Sequence, residues 1–256
     1  MSEQVRVKVN EGVLSIELNR PERKNALTHA MYETLHQALV KARAETAVRV
    51  VLITGQQDCF TAGNDMADFL ERPVTGQDAP VMRFLRELTL CEKPVVAAVN
   101  GPAVGVGATL LLHCDLVYLG EQARLQMPFA NLGLCPEAGS SLLLPLRVGQ
   151  VNAARMLLLG DFVSASEALQ WGLANAVLPA EQYQAEALRQ AQRLVKQPAA
   201  AVRLAKNLMR GVSESALLEH MQREGDAFVA RLQSPEAREA MTAFVEKRAP
   251  DFSGFQ

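Results

Sequence analysis

This sequence has almost no excess of charge of either sign and only four cysteines. Its 256 residues carry 26 lysines and arginines against 28 aspartates and glutamates, which gives a formal net charge of −2. Nucleic-acid-binding proteins present concentrated positive charge to phosphates, so this balance argues against that class. Apolar residues make up 49% of the chain, which excludes a mainly disordered protein and allows an ordinary buried core.

Patterns for metal binding and for common cofactor loops are also missing. The four cysteines form no C-x-x-C pair and the four histidines no H-E-x-x-H set, so we expect buried or half-buried free thiols and no metal site. The glycine-rich segment 101–107 lacks the G-K-[ST] of a Walker loop and has Leu110 where a dinucleotide fingerprint needs Gly or Ala. Gly139-Ser140-Ser141 is not the G-x-S-x-G elbow of a serine hydrolase.

One uncharged run is long enough to resemble a membrane span. It extends from Pro94 to Cys114, but Asn100-Gly101-Pro102 divides it into two pieces that each suit a buried element of a soluble fold. We therefore expect no transmembrane segment. Since no secretory signal pattern follows Met1, we also expect a cytoplasmic location.

Strand and helix patterns alternate up to Glu137, and mainly helical patterns follow it. The predicted strands are Val5–Val9, Val13–Leu18, Val48–Thr54, Pro94–Val99, Asp115–Leu119 and Arg124–Met127. The predicted helices are Met31–Ala44 with Thr28 as its cap, one from Asp65, Val81–Leu90, a helix to His113, Ser140–Leu144, Val151–Leu159, Ser166–Gln170, Ala180–Val195, Pro198–Arg210, Ser213–Leu232 and Ser234–Lys247. This order predicts an α/β protein, with a boundary between residues 196 and 197 beyond which the chain is helical.

Two loops rich in small residues each follow a buried strand and lead into a helix. They are the segments 59–66 (CFTAGNDM) and 101–107 (GPAVGVG). Backbone N–H groups at such junctions can point at one shared ligand oxygen, which is the geometry of an oxyanion hole. Glycines that serve only tight turns explain the second loop equally well.

Three ordered segments resemble the crotonase (enoyl-CoA hydratase/isomerase) superfamily: 20–27 (RPERKNAL), 60–65 (FTAGND) and 100–107 (NGPAVGVG). The tail 244–248 (FVEKR) resembles its C-terminal helix. The resemblance covers essentially the whole chain and implies a ββα-repeat spiral core, here residues 1–196, with a C-terminal helical trimerisation region, here 197–256. It also implies an acyl-CoA thioester ligand, a homotrimer or hexamer, and no cofactor beyond the coenzyme A of the substrate.

The resemblance carries the family's binding residues onto named positions. The oxyanion hole falls on the backbone N–H groups of Asn64 and Val106, which would stabilise an enolate. Substrate contacts are expected at Lys24, Ala26, Ala62, Phe129 and Lys247. Lys24 and Lys247, with Arg248 beside it, are candidates for the CoA phosphates, although a solvated surface cation explains each of them as well.

The acidic residues depart from the hydratase pattern. Hydration requires two carboxylates, one to activate water and one to move the second proton. The two family positions are occupied here by Thr109 and by Phe129 after Pro128. Instead, the segment 132–141 (LGLCPEAGSS) resembles the P-E-G-x-S segment of the peroxisomal-type Δ3,Δ2-enoyl-CoA isomerases, in which the glutamate, here Glu137, is the single acid/base.

The resemblance therefore favours an isomerase of fatty acid metabolism that moves a double bond through a dienolate. An apolar setting of Phe129, Leu132 and Leu134 would raise the pKa of Glu137 toward neutrality. Taken alone, Glu137 is also explained as a carboxylate at a helix N-terminus, and Asp65 as a helix cap. Hydratase or other enolate chemistry, and a non-catalytic acyl-CoA-binding protein, remain the alternatives.

Overall fold

The computed structural model describes residues 3–56, 58–72, 76 and 78–255. Met1, Ser2 and Gln256, which the predicted regions 1–196 and 197–256 include, lie outside the described residues. The strands are β1 (Val5–Asn10), β2 (Val13–Leu18), β3 (Val50–Thr54), β4 (Val95–Val99), β5 (Pro102–Val104), β6 (Leu116–Gly120), β7 (Arg124–Gln126), β8 (Val163–Ser164) and β9 (Ala176–Leu178). The α-helices are α1 (His29–Ala44), α2 (Met66–Glu71), α3 (Pro80–Thr89), α4 (Val106–Thr109), α5 (Ser140–Ala154), α6 (Ala165–Gln170), α7 (Tyr183–Val195), α8 (Ala199–Met209), α9 (Glu214–Leu232) and α10 (Pro235–Glu246).

A six-stranded sheet in the order β1-β2-β3-β4-β6-β9 forms the centre of the fold. The β1–β2 pair is antiparallel, as the predicted hairpin requires, and the other pairs are parallel. A smaller sheet has the order β5-β7-β8. The predicted α/β class is confirmed.

Helices cover both faces of β3, which explains its continuous apolar run. Val51 and Ile53 belong to the core cluster that includes α1 and α3, whereas Val50 and Leu52 pack with Tyr183 and its neighbours on α7. Parallel strands covered on both faces have no polar side. The carboxyl ends of β3 and β4 meet at one edge of the sheet, and the two small-residue loops leave from that edge.

Several predicted helix ends are confirmed by their caps. Thr28 accepts a hydrogen bond from the Met31 amide, Asp65 caps α2, and Ser213 and Ser234 cap α9 and α10. Such side chains satisfy amides that have no partner within the helix.

The predictions between residues 100 and 180 need correction. The glycine-rich turn before His113 contains the three-residue strand β5, and the predicted helix to His113 is the short α4 continued by a 3-10 turn. The segment after Glu137 is not purely helical, because β8 and β9 lie within it and β9 completes one edge of the main sheet. With two or three residues each, β5, β8 and β9 are too short to show a periodic pattern, although β7, also of three residues, is predicted as part of Arg124–Met127. The boundary at residues 196 and 197 stays a prediction.

The uncharged run from Pro94 to Cys114 is not a membrane helix, since it forms β4, β5, α4 and the 3-10 turn. A different segment, Ser140–Leu159, is long and apolar enough to span a membrane by length and composition alone. Gly149 divides that segment, because its φ of 77° and ψ of 160° are not helical.

Candidate active site

The two loops that follow β3 and β4 are paired like adjacent strands. The Thr61 amide donates to the Pro102 carbonyl at 3.0 Å, and the Val104 amide donates to the Thr61 carbonyl at 3.0 Å. Glycines allow this close approach. A Cβ on Gly63, whose φ is 91°, would lie 2.9 Å from the Val104 carbonyl oxygen, and one on Gly107 would overlap the Thr61 side chain. The pairing fixes the positions of Asn64 and Val106 relative to each other.

The amides of Asn64 and Val106 have no acceptor among the described residues. Leu27 pairs with the Asn64 segment through the Gly63 carbonyl and the Asp65 amide, which leaves the Asn64 N–H on the opposite side. Val106 is the first residue of α4, so its N–H has no partner within the helix. Both residues line the same cavity. Two backbone donors without an acceptor in the described part of the chain therefore line one cavity; their joint action on one ligand oxygen, as an oxyanion hole, stays a prediction.

That cavity has a volume of about 610 Å³ and mainly apolar walls. The apolar lining includes Met66, Phe69, Leu85, Phe129, Phe228 and Met241. Residues of α2, α3, α9 and α10 line the cavity together with the two loops, so the C-terminal helices complete the cavity that the sheet loops begin. A space of this kind suits an apolar chain with one polar reacting end.

Two carboxylates line the cavity within the described ranges, Asp65 and Glu137, and their surroundings differ. Burial alone would raise the pKa of Asp65, but a 2.6 Å bond from Arg20 and bonds from the α2 amides outweigh it and hold the pKa below its usual range. Burial raises the pKa of Glu137 to about 7, opposed by a hydrogen bond from Thr109 and supported by the negative charge of Glu224. Glu137 is thus the carboxyl that can take up and release a proton near neutral pH.

Thr109 lies beside Glu137 and is completely buried. Its hydroxyl donates to Glu137 Oε1, so that oxygen is fixed and the other is left for a ligand in the cavity. The sequence indicated only that Thr109 replaces an acid of the hydratase pattern. Its role as a donor appears once the fold places α4 against the Glu137 loop.

His113 holds the Glu137 loop from the other side. Its Nε2 lies 2.7 Å from the Ala138 carbonyl oxygen, and because a carbonyl only accepts, Nε2 carries the hydrogen. Burial lowers the pKa of His113 to about 4, so the ring is neutral at physiological pH. The sequence marks this residue only as the end of a predicted helix.

The enoyl-CoA hydratase/isomerase family model matches residues 8–255 of the chain. The chain belongs to the enoyl-CoA hydratase/isomerase family. It is 36% identical to the 2,3-dehydroadipyl-CoA hydratase of Escherichia coli (strain K12), over 99% of this chain and 100% of that protein. It is 35% identical to enoyl-CoA delta isomerase 2 of Rattus norvegicus, over 93% of this chain and 62% of that protein.

A solved structure agrees with the family assignment. Pseudomonas aeruginosa OdaA superposes with a TM-score of 0.92 at 52% identity, covering 95% of this chain and 99% of that one. The crotonase fold predicted from the sequence is therefore confirmed. The chain is an acyl-CoA enzyme of the enoyl-CoA hydratase/isomerase family. Hydratases and isomerases both occur among its relatives, so membership alone does not select the reaction.

The structure brings together most of the residues that the family resemblance nominated. Ala26, Ala62 and Phe129 line the cavity with the two free amides and Glu137. Lys24 and Lys247 are exposed and are not among the lining residues. The cations that line the cavity are Arg23 and Arg86, neither of which the sequence singled out. Contacts of Lys24 and Lys247 with CoA phosphates stay predictions.

Tyr32 is a further residue of the candidate active site, and the sequence did not reveal it. Its hydroxyl donates to Asn64 Oδ1 at 2.5 Å, and burial, with the charge of Glu137, raises the pKa of Tyr32 well above its usual value. The phenol stays protonated and holds the side chain of Asn64, whose amide is one of the two free donors. Tyr32 looks like an ordinary core residue of α1 in the sequence, so no local signal marked it.

Proposed function

We propose that this enzyme is a Δ3,Δ2-enoyl-CoA isomerase in which Glu137 is the only acid/base. The observation that carries the proposal is that, of the two carboxyls lining the cavity among the described residues, only Glu137 has a pKa near neutrality, and it shares the cavity with two backbone amides that have no acceptor there. The second lining carboxylate, Asp65, is occupied by Arg20 and by the start of α2. A reaction that returns the proton it removes requires one such group, whereas hydration requires two.

The proposed steps use only these groups. The thioester carbonyl oxygen accepts hydrogen bonds from the Asn64 and Val106 amides. Glu137 removes a proton from C2 of a 3-enoyl-CoA, and the electron pair of that C–H bond spreads over the carbonyl and the C3=C4 bond as a dienolate. Protonated Glu137 then gives the proton to C4, which leaves a C2=C3 double bond conjugated with the thioester and restores the carboxylate.

The charge and the surroundings of the site support this sequence of steps. A base with a pKa of about 7 is ionised in part at neutral pH and, once protonated, is acidic enough to give the proton back. The Thr109 bond to Oε1 directs the free oxygen to the substrate. Buried Phe129 occupies the position of the second hydratase glutamate, so a water there would lack a base.

Hydration is the second candidate, because a relative 36% identical over the whole of its length is named a hydratase. The test offers one preparation trans-3-hexenoyl-CoA and trans-2-hexenoyl-CoA in parallel, following absorbance of the conjugated thioester. We expect isomerisation to exceed hydration by at least about 100-fold, the order of effect of a missing acid/base group. Hydration as the faster reaction would overturn the proposal. Binding of both thioesters with no C2 proton exchange in D₂O would instead support a non-catalytic protein.

We further propose that the enzyme acts as a trimer or as a hexamer of two trimers, in the cytoplasm, with no cofactor beyond the coenzyme A of its substrate. Large apolar side chains are exposed along and after α5, among them Leu146, Val151, Leu158 and Leu159 at 62–84% exposure. Exposed apolar side chains that lie near one another mark protein–protein contacts. Sedimentation equilibrium should give three or six times 27.9 kDa, and a monomer at micromolar concentration would contradict this.

A further inference from the structure

The loop that carries Glu137 has a strained backbone. Ala138 and Gly139, the next two residues, both adopt left-handed conformations, with φ of 58° and 73°. A left-handed alanine costs free energy that the surrounding contacts must offset. Because Glu137 precedes this pair directly, whatever holds the two residues also sets the direction of its side chain.

Glu224, on α9 in the C-terminal helical region, makes most of the hydrogen bonds that hold this part of the loop. Its Oε2 accepts the Gly139 amide at 2.5 Å, and its Oε1 accepts the Ser141 amide at 2.9 Å and the Ser141 hydroxyl at 2.5 Å. The Glu224 residue is 8% exposed. Its carboxylate therefore sits, largely shielded from water, on the N-terminus of α5, where a negative charge is favoured.

Other polar groups surround this carboxylate and stay outside the cavity. His220 Nε2 lies 3.4 Å from Glu224 Oε1 and 2.8 Å from Ser141 Oγ, and Arg223 lies 3.2 Å from His220 Nδ1. Cys135 contacts the Glu224 carbonyl oxygen at 3.8 Å. None of Glu224, His220, Arg223 and Ser141 is a lining residue of the cavity, so these groups act on the substrate only through the loop.

We propose that Glu224 is a positioning residue for the acid/base. Its carboxylate accepts hydrogen bonds from the Gly139 and Ser141 amides and so keeps Glu137 directed into the cavity. This inference rests on the proposed role of Glu137. It also makes the C-terminal helical region part of the catalytic arrangement. Besides lining the cavity with Met221, Gly225 and Phe228, α9 sets the geometry of a loop about 85 residues earlier in the chain.

A consequence separates this role from a merely structural one. The negative charge of Glu224 contributes, after burial, to the raised pKa of Glu137. Removing that charge while keeping the shape should therefore lower the pH at which Glu137 ionises. A contact that only stabilised the fold would leave that pH unchanged.

The test compares Glu224→Gln with wild type in the isomerisation of trans-3-hexenoyl-CoA. Gln keeps the size of the side chain but replaces one acceptor oxygen by an NH₂ group, which cannot accept a hydrogen bond from a backbone amide. We expect kcat to fall about 10- to 100-fold with KM within about threefold, as for a misplaced catalytic group. The acid limb of the kcat/KM profile should move about one pH unit lower. Glu219→Gln, an exposed glutamate on the same helix, is the matched control and should behave as wild type.

Two further measurements keep the proposal testable. If Glu224→Gln fails to fold, Ser141→Ala takes its place, because it removes only the hydroxyl that donates to Glu224. It should also lower kcat, but by a smaller factor. A ¹³C carboxyl titration, with the Glu137 signal assigned by its loss in Glu137→Gln, reads the ionisation of Glu137 without any turnover. A lower midpoint in Glu224→Gln supports the proposal even if the reaction is not isomerisation.

Different results would contradict the role of Glu137 and the role of Glu224. If Glu137→Gln is inactive but Glu224→Gln keeps wild-type kcat, acid limb and carboxyl midpoint, the positioning role is wrong and the proposed function stands. If Glu137→Gln keeps full activity, the proposed function is wrong, and the carboxyl titration alone decides whether Glu224 acts on Glu137.

Discussion

Glu137 and Thr109 show how a small change of residue type alters the chemistry that one site can perform. In the hydratase pattern an acid stands at the position of Thr109, but here the hydroxyl of Thr109 donates to Glu137 Oε1. The bond favours the ionised form of Glu137 and opposes the effect of burial. The balance leaves a carboxyl whose pKa is near 7, which suits a group that must both take and return a proton.

Replacing Thr109 by Val tests this balance. Val keeps the shape but removes the hydrogen bond that stabilises the carboxylate, so the pKa of Glu137 should rise further. The acid limb of kcat/KM should move up by about one pH unit, so that activity falls more at pH 6 than at pH 9. The pH profile is measured with trans-3-hexenoyl-CoA. Thr34→Val, which loses a buried hydroxyl bonded to the Ala30 carbonyl on α1, is the control, and an equal shift in both variants would contradict the account.

The sequence identified the residues that the family pattern marks and missed those that act on them. Glu137, Asn64 and Val106 were nominated through local motifs, and the structure shows that they line one cavity. His113 and Glu224 contact the Glu137 loop from positions far away in the chain. Nothing in their local sequence differs from an ordinary helix or turn, so only the fold reveals them.

At the scale of the elements, pairing between two loops places the Asn64 and Val106 amides of the proposed oxyanion hole. Thr61 forms backbone bonds to β5 on both sides, and its hydroxyl donates to the Asn25 carbonyl at 2.7 Å. Thr61 is completely buried, so it has no room to move. Asn64, in the loop before α2, and Val106, the first residue of α4, are thus held in one arrangement before any ligand binds.

Gly107→Ala should disturb this arrangement. The added Cβ would overlap the Thr61 side chain and lie 3.3 Å from the Thr61 carbonyl oxygen, so the loops must separate. Loss of one well-placed donor typically costs about 10²–10³ in rate, and we expect a decrease of that order in kcat/KM. Gly211→Ala, where a Cβ would meet no atom within 4 Å, serves as the control. Wild-type kcat/KM in Gly107→Ala would show that the two amides do not act together.

The elements were predictable in proportion to their length and regularity. The β1–β2 hairpin, the apolar β3 and β4, and the capped helices α1, α2, α9 and α10 all carry periodic or capping signals. The three-residue β5 and β9 carry none, yet β5 is the strand that pairs with Thr61. The strand that assembles the site was thus less visible in the sequence than the strands that support it.

For the whole molecule, a half-buried ionisable base costs stability. The pKa of Glu137 is about 7 in the folded protein against an ordinary value of 4.5 for a glutamate exposed to water. Between these values the unfolded chain ionises first, so stability falls as the pH rises from about 4.5 to 7, and above pH 7 the full cost persists. Function is the reason to retain such a group.

Glu137→Gln should accordingly be more stable than wild type at pH 8 by about 1–3 kcal/mol, with little difference at pH 5. Urea unfolding at the two pH values measures this, and Glu219→Gln should show no such pH-dependent difference. A variant that is destabilised equally at both values would mean that the raised pKa does not exist in the folded protein.

In the proposed reaction one carboxyl, that of Glu137, both removes and returns the proton. The most direct measurement is kcat/KM for conversion of trans-3-hexenoyl-CoA to trans-2-hexenoyl-CoA by wild type and Glu137→Gln, from pH 5 to pH 9. The account predicts that wild-type activity rises with pH to a plateau above about pH 7, the pKa of Glu137. It predicts a loss of at least about 10³-fold in the variant at every pH. A variant that retains wild-type turnover and the same pH profile would contradict it.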